Sequence, residues 1–366
     1  MTAPERRQRS SNIEILRILA MLMIVMHHFA IHSGFTFPDP AWSWNRLFVQ
    51  SMSFGGKIGV DIFVIISGFF LVRQTFRLQK FFRLVGQIWF YTIMVLVVTA
   101  AVGGVDALSA QDTRHALLPL WPVWWFASGY IVLYMLFPFL NIAIAAAAGA
   151  PLRRLLALLT VLWCLIPWSL GSSLECSNLG WFVYLYLLGA WFRLEPGRVQ
   201  WLSRHAGSIA LGSFAITIGQ YAIGDLIQAT TQGAVSTRLF HGIDLQNPVT
   251  LLLAIGLFFF FERRRDIGTI PWINKIAATM FGVYLIHDHP IIRSWIWQHV
   301  FGNQDRAAAP DLAAIGLAEV AAVFLVCSAI DALRIRFAER PFFAWLAPRI
   351  DHFEAGPWRR LQKFIE

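Results

Sequence analysis

An all-α membrane protein, a bundle of about ten transmembrane helices, is the fold class this sequence predicts, and three observations predict it. Hydrophobic residues make up 57% of the chain and charged residues only 14%, against about 25% charged in a soluble domain. Apolar runs long enough to cross a hydrocarbon core of about 30 Å recur from end to end. Lys and Arg gather in alternate connecting segments, as they do when successive loops face opposite sides of a membrane.

The first span is expected over 13–31. Arg6, Arg7 and Arg9 precede it like the basic region of a secretory signal, but Arg17, His27 and His28 inside the run and the lack of an A-x-A site mark a retained helix. The second, 57–73, follows a loop over 32–56 rich in aromatic, Pro, Gly and polar residues. The third covers 84–103. The fourth, 124–146, closes on an Ala-rich run with Gly149 and Pro151, a helix end and turn. The fifth to tenth are expected at 153–171, 178–193, 206–223, 248–262, 272–292 and 312–334. The second, sixth and eighth are short, which leaves a tilted or re-entrant path open to them. No internal repeat interrupts this layout: residues 1–12 form a cytoplasmic segment, 13–345 the transmembrane domain, and 346–366 a cytoplasmic tail.

The net charge of +9 reads as topology rather than as an affinity for nucleic acid, because basic residues collect in cytoplasmic loops. They precede Ile13, recur over 73–83, 153–154, 193–204 and 263–275, and fill the segment from Arg334 onward. The opposite segments hold only Arg46, Lys57, Arg114, Arg238, Arg293 and Arg306. Both termini are therefore expected in the cytoplasm, with membrane lipids as the surroundings. Cys164, Cys176 and Cys327 fit no disulfide framework and no metal-ligand spacing, so neither a metal nor a tightly bound cofactor is expected.

Ionisable groups inside apolar spans are costly and point to function by default. Arg17 and His28 share one face of the first helix and stand roughly 16 Å apart along its axis. A buried cation suits a phosphate-bearing group, and a buried imidazole suits removal of a proton from a hydroxyl. A snorkelling Arg17 and a carbonyl-bonded His28 are the structural alternatives. His27 faces away, and His32 follows His28 by one turn. Asp61, in Gly59-Val60-Asp61-Ile62-Phe63, is expected at a depth similar to His28, where its carboxylate would orient the imidazole or merely begin a helix. Tyr284 and His287, in Tyr284-Leu285-Ile286-His287-Asp288-His289-Pro290, fall towards the same level. Arg73, Arg77, Lys80 and Arg83 form a basic loop, either an ordinary cytoplasmic turn or a seat for phosphates.

These segments resemble the acyltransferase-3 family of integral membrane acyltransferases. The resemblance rests on Arg17-x10-His28 in ILRILAMLMIVMHHF, GVDIFVIISGFFL at 59–71, Phe81-Phe82-Arg83, WFASGYIVLYMLFPFLN at 125–141, FGVYLIHDHP at 281–290 and Glu339-Arg340-Pro341. It spans about residues 12–345, in family order and spacing. Members move acetyl or other short acyl groups, generally from acyl-CoA, to glycans, peptidoglycan, antibiotics or lipids. The resemblance implies His28 as catalytic base and Arg17 as a residue that holds the donor. It also implies a bacterial cytoplasmic membrane, with exopolysaccharide or another envelope or lipid-linked glycan as acceptor. Many relatives carry a fused extracytoplasmic hydrolase-like domain that this sequence lacks, so the membrane domain either completes the transfer or hands the acyl group to a partner.

The mechanism expected at this stage has acyl-CoA, acetyl-CoA in the simplest case, approach from the cytoplasm with its phosphates on Arg17 and the Arg73–Arg83 loop. His28, oriented by Asp61, deprotonates the acceptor hydroxyl, and Tyr284 and His287 stabilise the oxyanion. A covalent relay stays open, although no Ser or Cys nucleophile motif stands out. A proton-coupled transporter or exporter is the alternative class, since it too uses buried Arg, Asp and His, but the halves of the chain show no matching broken helices. A glycan polymerase would need an Arg-rich outer face, which is absent from the sequence.

Overall fold

A computed structural model describes residues 10–37, 42–103, 124–170, 176–235, 245–354 and 356, and among them it contains helices and connecting turns but no strand. Arg6, Arg7, Arg9, Arg114, Arg238 and most of the C-terminal tail lie outside the described residues. Among the described residues, seven helical segments are long and apolar enough to cross a membrane: Ser11–His32, Trp44–Leu71, Leu78–Val102, Trp125–Ala146, Ala150–Leu170, Ala206–Thr230 and Leu312–Phe353.

The helices that position the site are α1 (Ser11–His32), α2 (Trp44–Ser53), α3 (Gly55–Leu71), α4 (Leu78–Gly103), α5 (Trp125–Ala146), α6 (Ala150–Thr160), α7 (Asn178–Leu194), α8 (Ala206–Thr230) and α9 (Pro248–Glu262). The chain continues through three short pieces, α10 (Pro271–Ala277), α11 (Met280–His287) and α12 (Pro290–Ser294), then α13 (Leu312–Arg334) and α14 (Arg340–Phe353). Three of the ten expected spans thus fall outside the seven. Helix α7 has 17 residues and α9 has 15, about 25 and 22 Å at 1.5 Å per residue. The ninth is broken into α10, α11 and α12.

Helices α1 and α3 form the centre, with α7 packed on the far side of α3 and α9, α11 and α13 around α1. Two glycines allow the close approach of α3 to its neighbours. A Cβ on Gly59 would lie 2.5 Å from the Ala20 carbonyl oxygen of α1, and one on Gly189 would lie 2.3 Å from the Ile65 carbonyl oxygen of α3. Small residues at such crossings let backbones touch where lipid offers no hydrophobic drive to association.

The start of α1 is tied to the end of α9. Asn12 Nδ2 donates to the Phe261 and Glu262 carbonyls at 2.9 and 3.2 Å, which satisfies carbonyls left without intrahelical partners. Ser11 Oγ accepts from the Ile270 N–H at 2.7 Å and donates to Asn274 Oδ1 at 2.9 Å. Polar residues at the first turn therefore fix the height of α1 against α9 and α10, and with it the height of every group further along α1.

The break that ends α11 is written in the sequence. Pro290 has no N–H and restricts His289 to an extended backbone, observed at φ −62°, ψ 131°. His289 then caps α12, its ring accepting from the Ile291 N–H at 3.3 Å. Between the two helices stands Asp288, released from helical geometry and buried.

Candidate active site

Helix α1 presents His28 and His32 one turn apart on a single face, and α11 brings His287 and Asp288 to the same level. His28, His287 and Asp288 are buried. His28 Nδ1 lies 2.8 Å from His287 Nε2, and His287 Nδ1 lies 2.5 Å from the Val283 carbonyl oxygen. A carbonyl only accepts, so His287 Nδ1 carries a proton and donates it. For neutral rings, His287 Nε2 is then an acceptor, His28 Nδ1 is its donor, and His28 Nε2 is left with a bare lone pair. The tautomers follow from the hydrogen-bond network.

That lone pair faces a carboxylate across a gap. Asp288 Oδ1 stands 3.6 Å from His28 Nε2, 3.7 Å from His32 Nε2 and 3.6 Å from Arg293 Nη1. All three separations exceed a hydrogen bond, and this buried oxygen has no hydrogen-bond partner among the described residues. Beside it is a cavity of about 190 Å³ whose walls include Met21, Ile24, His28, Tyr284, Asp288 and Arg293. Arg17, Met21, Ile24 and His28 follow one another at spacings of four, three and four along α1, so the apolar wall runs from the imidazole towards Arg17. The group that fits between a bare Nε2 and a carboxylate oxygen is one that brings a proton, such as a hydroxyl.

His28, His32 and Asp288 also place three donor atoms within 4.8 Å of one another. A divalent ion there would share Asp288 with the Arg293 guanidinium, in a cavity lined also by Lys57. Like charge at that range disfavours a metal.

The expected site residues divide into those brought together and those set apart. His28, His287 and Tyr284 meet: the His28 ring centroid is 4.9 Å from that of His287 and 6.4 Å from that of Tyr284. The Tyr284 hydroxyl is buried with no close, well-aligned hydrogen bond among the described residues, its polar neighbours being Asp288 and the Phe126 backbone. His287, expected beside an oxyanion, meets His28 and the Val283 carbonyl. Both its ring nitrogens are engaged, so it holds the His28 ring and has no N–H free for an oxyanion. Asp61 stands apart from the other expected residues. It is fully buried, but its Oδ1 accepts from the Trp181 indole N–H at 2.9 Å, and the carboxylate that meets His28 is Asp288. Equal depth on α3 did not bring equal direction.

Arg17 is partly exposed and pairs with Glu14 at 3.1 Å, one turn back on α1. Arg73 and Arg77 are exposed. Lys80 donates to Gln74 Oε1 at 2.8 Å, and Arg83 lies 3.8 Å from Glu339 and over the Phe343 ring. His27, expected to face away, also lines the cavity, its ring centroid 5.4 Å from that of His28, while its Nδ1 is taken by the Ser53 carbonyl.

Asp288, His32 and Arg293 are the members that sequence reasoning did not place in the site. The signal for Asp288 was the proline two residues on, which ends a helix beside a histidine. Arg293 carried no such signal. No serine, threonine or cysteine lines the cavity among the described residues. Cys176, in the connection before α7, has its thiol pushed up to about 11 by burial, far from a thiolate nucleophile at neutral pH.

Fold and site together define a multi-pass membrane protein with an imidazole–carboxylate centre between a long central helix and a broken one. The family is fixed as well: residues 10–331 match the family model for the acyltransferase domain Acyl_transf_3, and the chain belongs to the acyltransferase-3 family. It is thus a membrane acyltransferase, and the matched stretch includes His28, Asp61, Tyr284, His287 and Asp288. No curated protein and no solved structure matches the chain.

Proposed function

We propose that the protein is an O-acyltransferase that moves a short acyl group, acetyl in the simplest case, from acyl-CoA to a hydroxyl of a cell-envelope or extracellular glycan, with His28 as general base. The observation that carries this reading is the chain from the Val283 carbonyl through His287 to His28, which turns a bare Nε2 into the cavity. In the reaction, Nε2 takes the hydroxyl proton as the acceptor oxygen bonds to the thioester carbonyl carbon. The new imidazolium N–H then faces Asp288, which stabilises it. The tetrahedral oxyanion forms next to the Tyr284 hydroxyl. Collapse breaks the C–S bond, and the leaving thiolate takes the proton from His28. Direct transfer is supported by the lack of a serine, threonine or cysteine in the cavity wall among the described residues.

The donor enters from the Arg17 end of α1, roughly 16 Å from His28. Lys and Arg counts support placing that end, and both termini, in the cytoplasm. Met21 and Ile24 offer an apolar track for the pantetheine arm. The donor phosphates reach Arg17 in competition with Glu14, and Arg73 and Arg77, exposed at the end of α3, are open to them. In this topology the membrane is a bacterial cytoplasmic membrane and the acceptor sits at the His28 end.

The test is transfer of label from acetyl-CoA to an envelope-glycan extract by purified protein. The wild type is expected to transfer. His28→Ala, shown by gel filtration to be folded, should lose about 10²- to 10⁴-fold of that activity. Wild-type protein that neither hydrolyses nor transfers any short-chain acyl-CoA, but carries a glycan precursor across liposomes, would sink this reading in favour of a transporter.

A further inference from the structure

Cations at the His28 end of the bundle are treated in two different ways. Arg46 lies 3.2 Å from the buried Asp225 and donates to Gln228 at 3.1 Å. Arg306 lies 3.4 Å from Asp311 and 3.9 Å from Glu319. Both are locked to acids and serve the packing. Lys57 and Arg293 instead line the cavity beside His28. Arg293 reaches only the single Asp288 oxygen at 3.6 Å and leaves 38% of its side chain exposed. No hydrogen bond or ion pair to the Lys57 ammonium occurs among the described residues, although the residue is half-buried. Asp61, one turn further along α3, feels the Lys57 charge through space, but its Oδ1 is turned into Trp181 and it does not line the cavity.

With uncharged imidazoles, the cavity therefore holds two cations against one carboxylate. A half-buried positive charge without a directly bonded counter-ion is costly in a membrane protein, and such a group marks a substrate path by default. The positive-inside pattern makes it more pointed, because this end of the molecule is poor in Lys and Arg and two of its few cations converge on one cavity.

We propose that the acceptor carries an anionic group, a sugar carboxylate or a phosphate, which Lys57 and Arg293 hold at the rim of the cavity while a nearby hydroxyl meets His28. The inference rests on the acyl-transfer reading above and adds the acceptor class to it. Arg293 then has two tasks. It shares Asp288 with the imidazoles, and its exposed guanidinium edge offers paired N–H donors to a carboxylate or phosphate. Lys57 supplies a point charge from α3 on the other side of the acceptor.

The experiment compares binding of a galacturonate trisaccharide with its fully methyl-esterified form, equal in shape and without charge, to wild-type protein in detergent. The acid should bind about tenfold tighter or more, and the preference should shrink as salt rises. Lys57→Gln and Arg293→Gln should each narrow the gap, and the double variant should close it. A glycerol phosphate trimer in a parallel arm separates the two sources of charge: tighter binding than the galacturonate assigns the site to a phosphate-linked acceptor, weaker binding to an acidic sugar, and either supports the anionic class. Equal binding of acid and ester, no binding of any probe, or a gap that survives both substitutions overturns the inference. Labelled acetyl transfer to the same trisaccharides keeps the two levels apart. Equal transfer to acid and ester overturns the anionic acceptor and leaves acyl transfer standing. A charge-dependent binding site that never accepts acetyl upholds Lys57 and Arg293 as an anion site and overturns the acyl-transfer reading.

Discussion

The molecule contains two buried clusters built from the same ingredients, a carboxylate among nitrogen and hydroxyl donors, and they are assembled differently. Around Asp331, at the end of α13, every contact is closed. Tyr91 donates to Asp331 Oδ1 at 2.6 Å, Arg334 Nε donates to the same oxygen at 2.6 Å, and Gln87 approaches it at 3.2 Å. The π turn Ile335–Glu339 that follows brings residues five apart onto one face, so Arg334 also bonds Glu339 at 2.8 Å. Around Asp288 nothing is closed: three nitrogens stop at 3.6–3.7 Å from one oxygen. Burial costs polar groups dearly unless they are bonded. The first cluster meets that cost internally and binds α4 to α13. The second leaves it unmet, and in the proposed reaction the slack is room for the reacting atoms.

The contrast predicts opposite outcomes for parallel substitutions. Asp331→Ala leaves Arg334 with Glu339 alone and the Tyr91 hydroxyl without its acceptor, and breaking a buried pair costs about 3–5 kcal/mol; thermal unfolding in detergent should fall sharply while activity per folded molecule is kept. Asp288→Asn should leave the unfolding midpoint almost unmoved and cut kcat on the order of a hundredfold, because the charge that meets the imidazolium is gone. If the two substitutions behave alike, the distinction between closed and open clusters fails.

A smaller effect sharpens the open side. His287→Leu removes the acceptor that holds the His28 Nδ1 proton, and a lost orienting partner costs about tenfold or somewhat more. The loss should appear in kcat rather than KM. His287→Gln, whose amide oxygen accepts the same bond, should recover part of it; no recovery would mean the ring acts through its size alone. The smallest effect belongs to Asp61→Asn. The amide oxygen still accepts from Trp181, so transfer should stay within about threefold. A collapse of activity in folded Asp61→Asn would return that carboxylate to the catalytic group expected from sequence.

The family and the membrane class were legible before any coordinate, and His28 stood out as a buried ionisable group. Composition, span spacing and the order of short motifs are properties of the chain, and lipid imposes them strongly because it tolerates so little polar surface. His28, Tyr284 and His287 could be gathered by depth, since rise per residue converts sequence position into height within a helix. Depth does not give azimuth. Asp61 lies in the helix next to α1 yet turns its carboxylate to Trp181, whereas Asp288 reaches His28 because Pro290 ends α11 and frees it from the helical lattice. Asp331 was passed over in sequence although it is as buried as Asp61.

Sequence by itself determined that this is a polytopic membrane acyltransferase of the acyltransferase-3 family, together with the local features that cut the ninth span into pieces. Only the tertiary structure decided which carboxylate faces the imidazole, that His287 is the ring hydrogen-bonded to His28, and that Lys57 and Arg293 share its cavity. Those choices depend on how α1, α3 and α11 rotate against one another. Rotation is set by close packing at residues such as Gly59 and Gly189, whose effect on direction appears only when the helices are in contact.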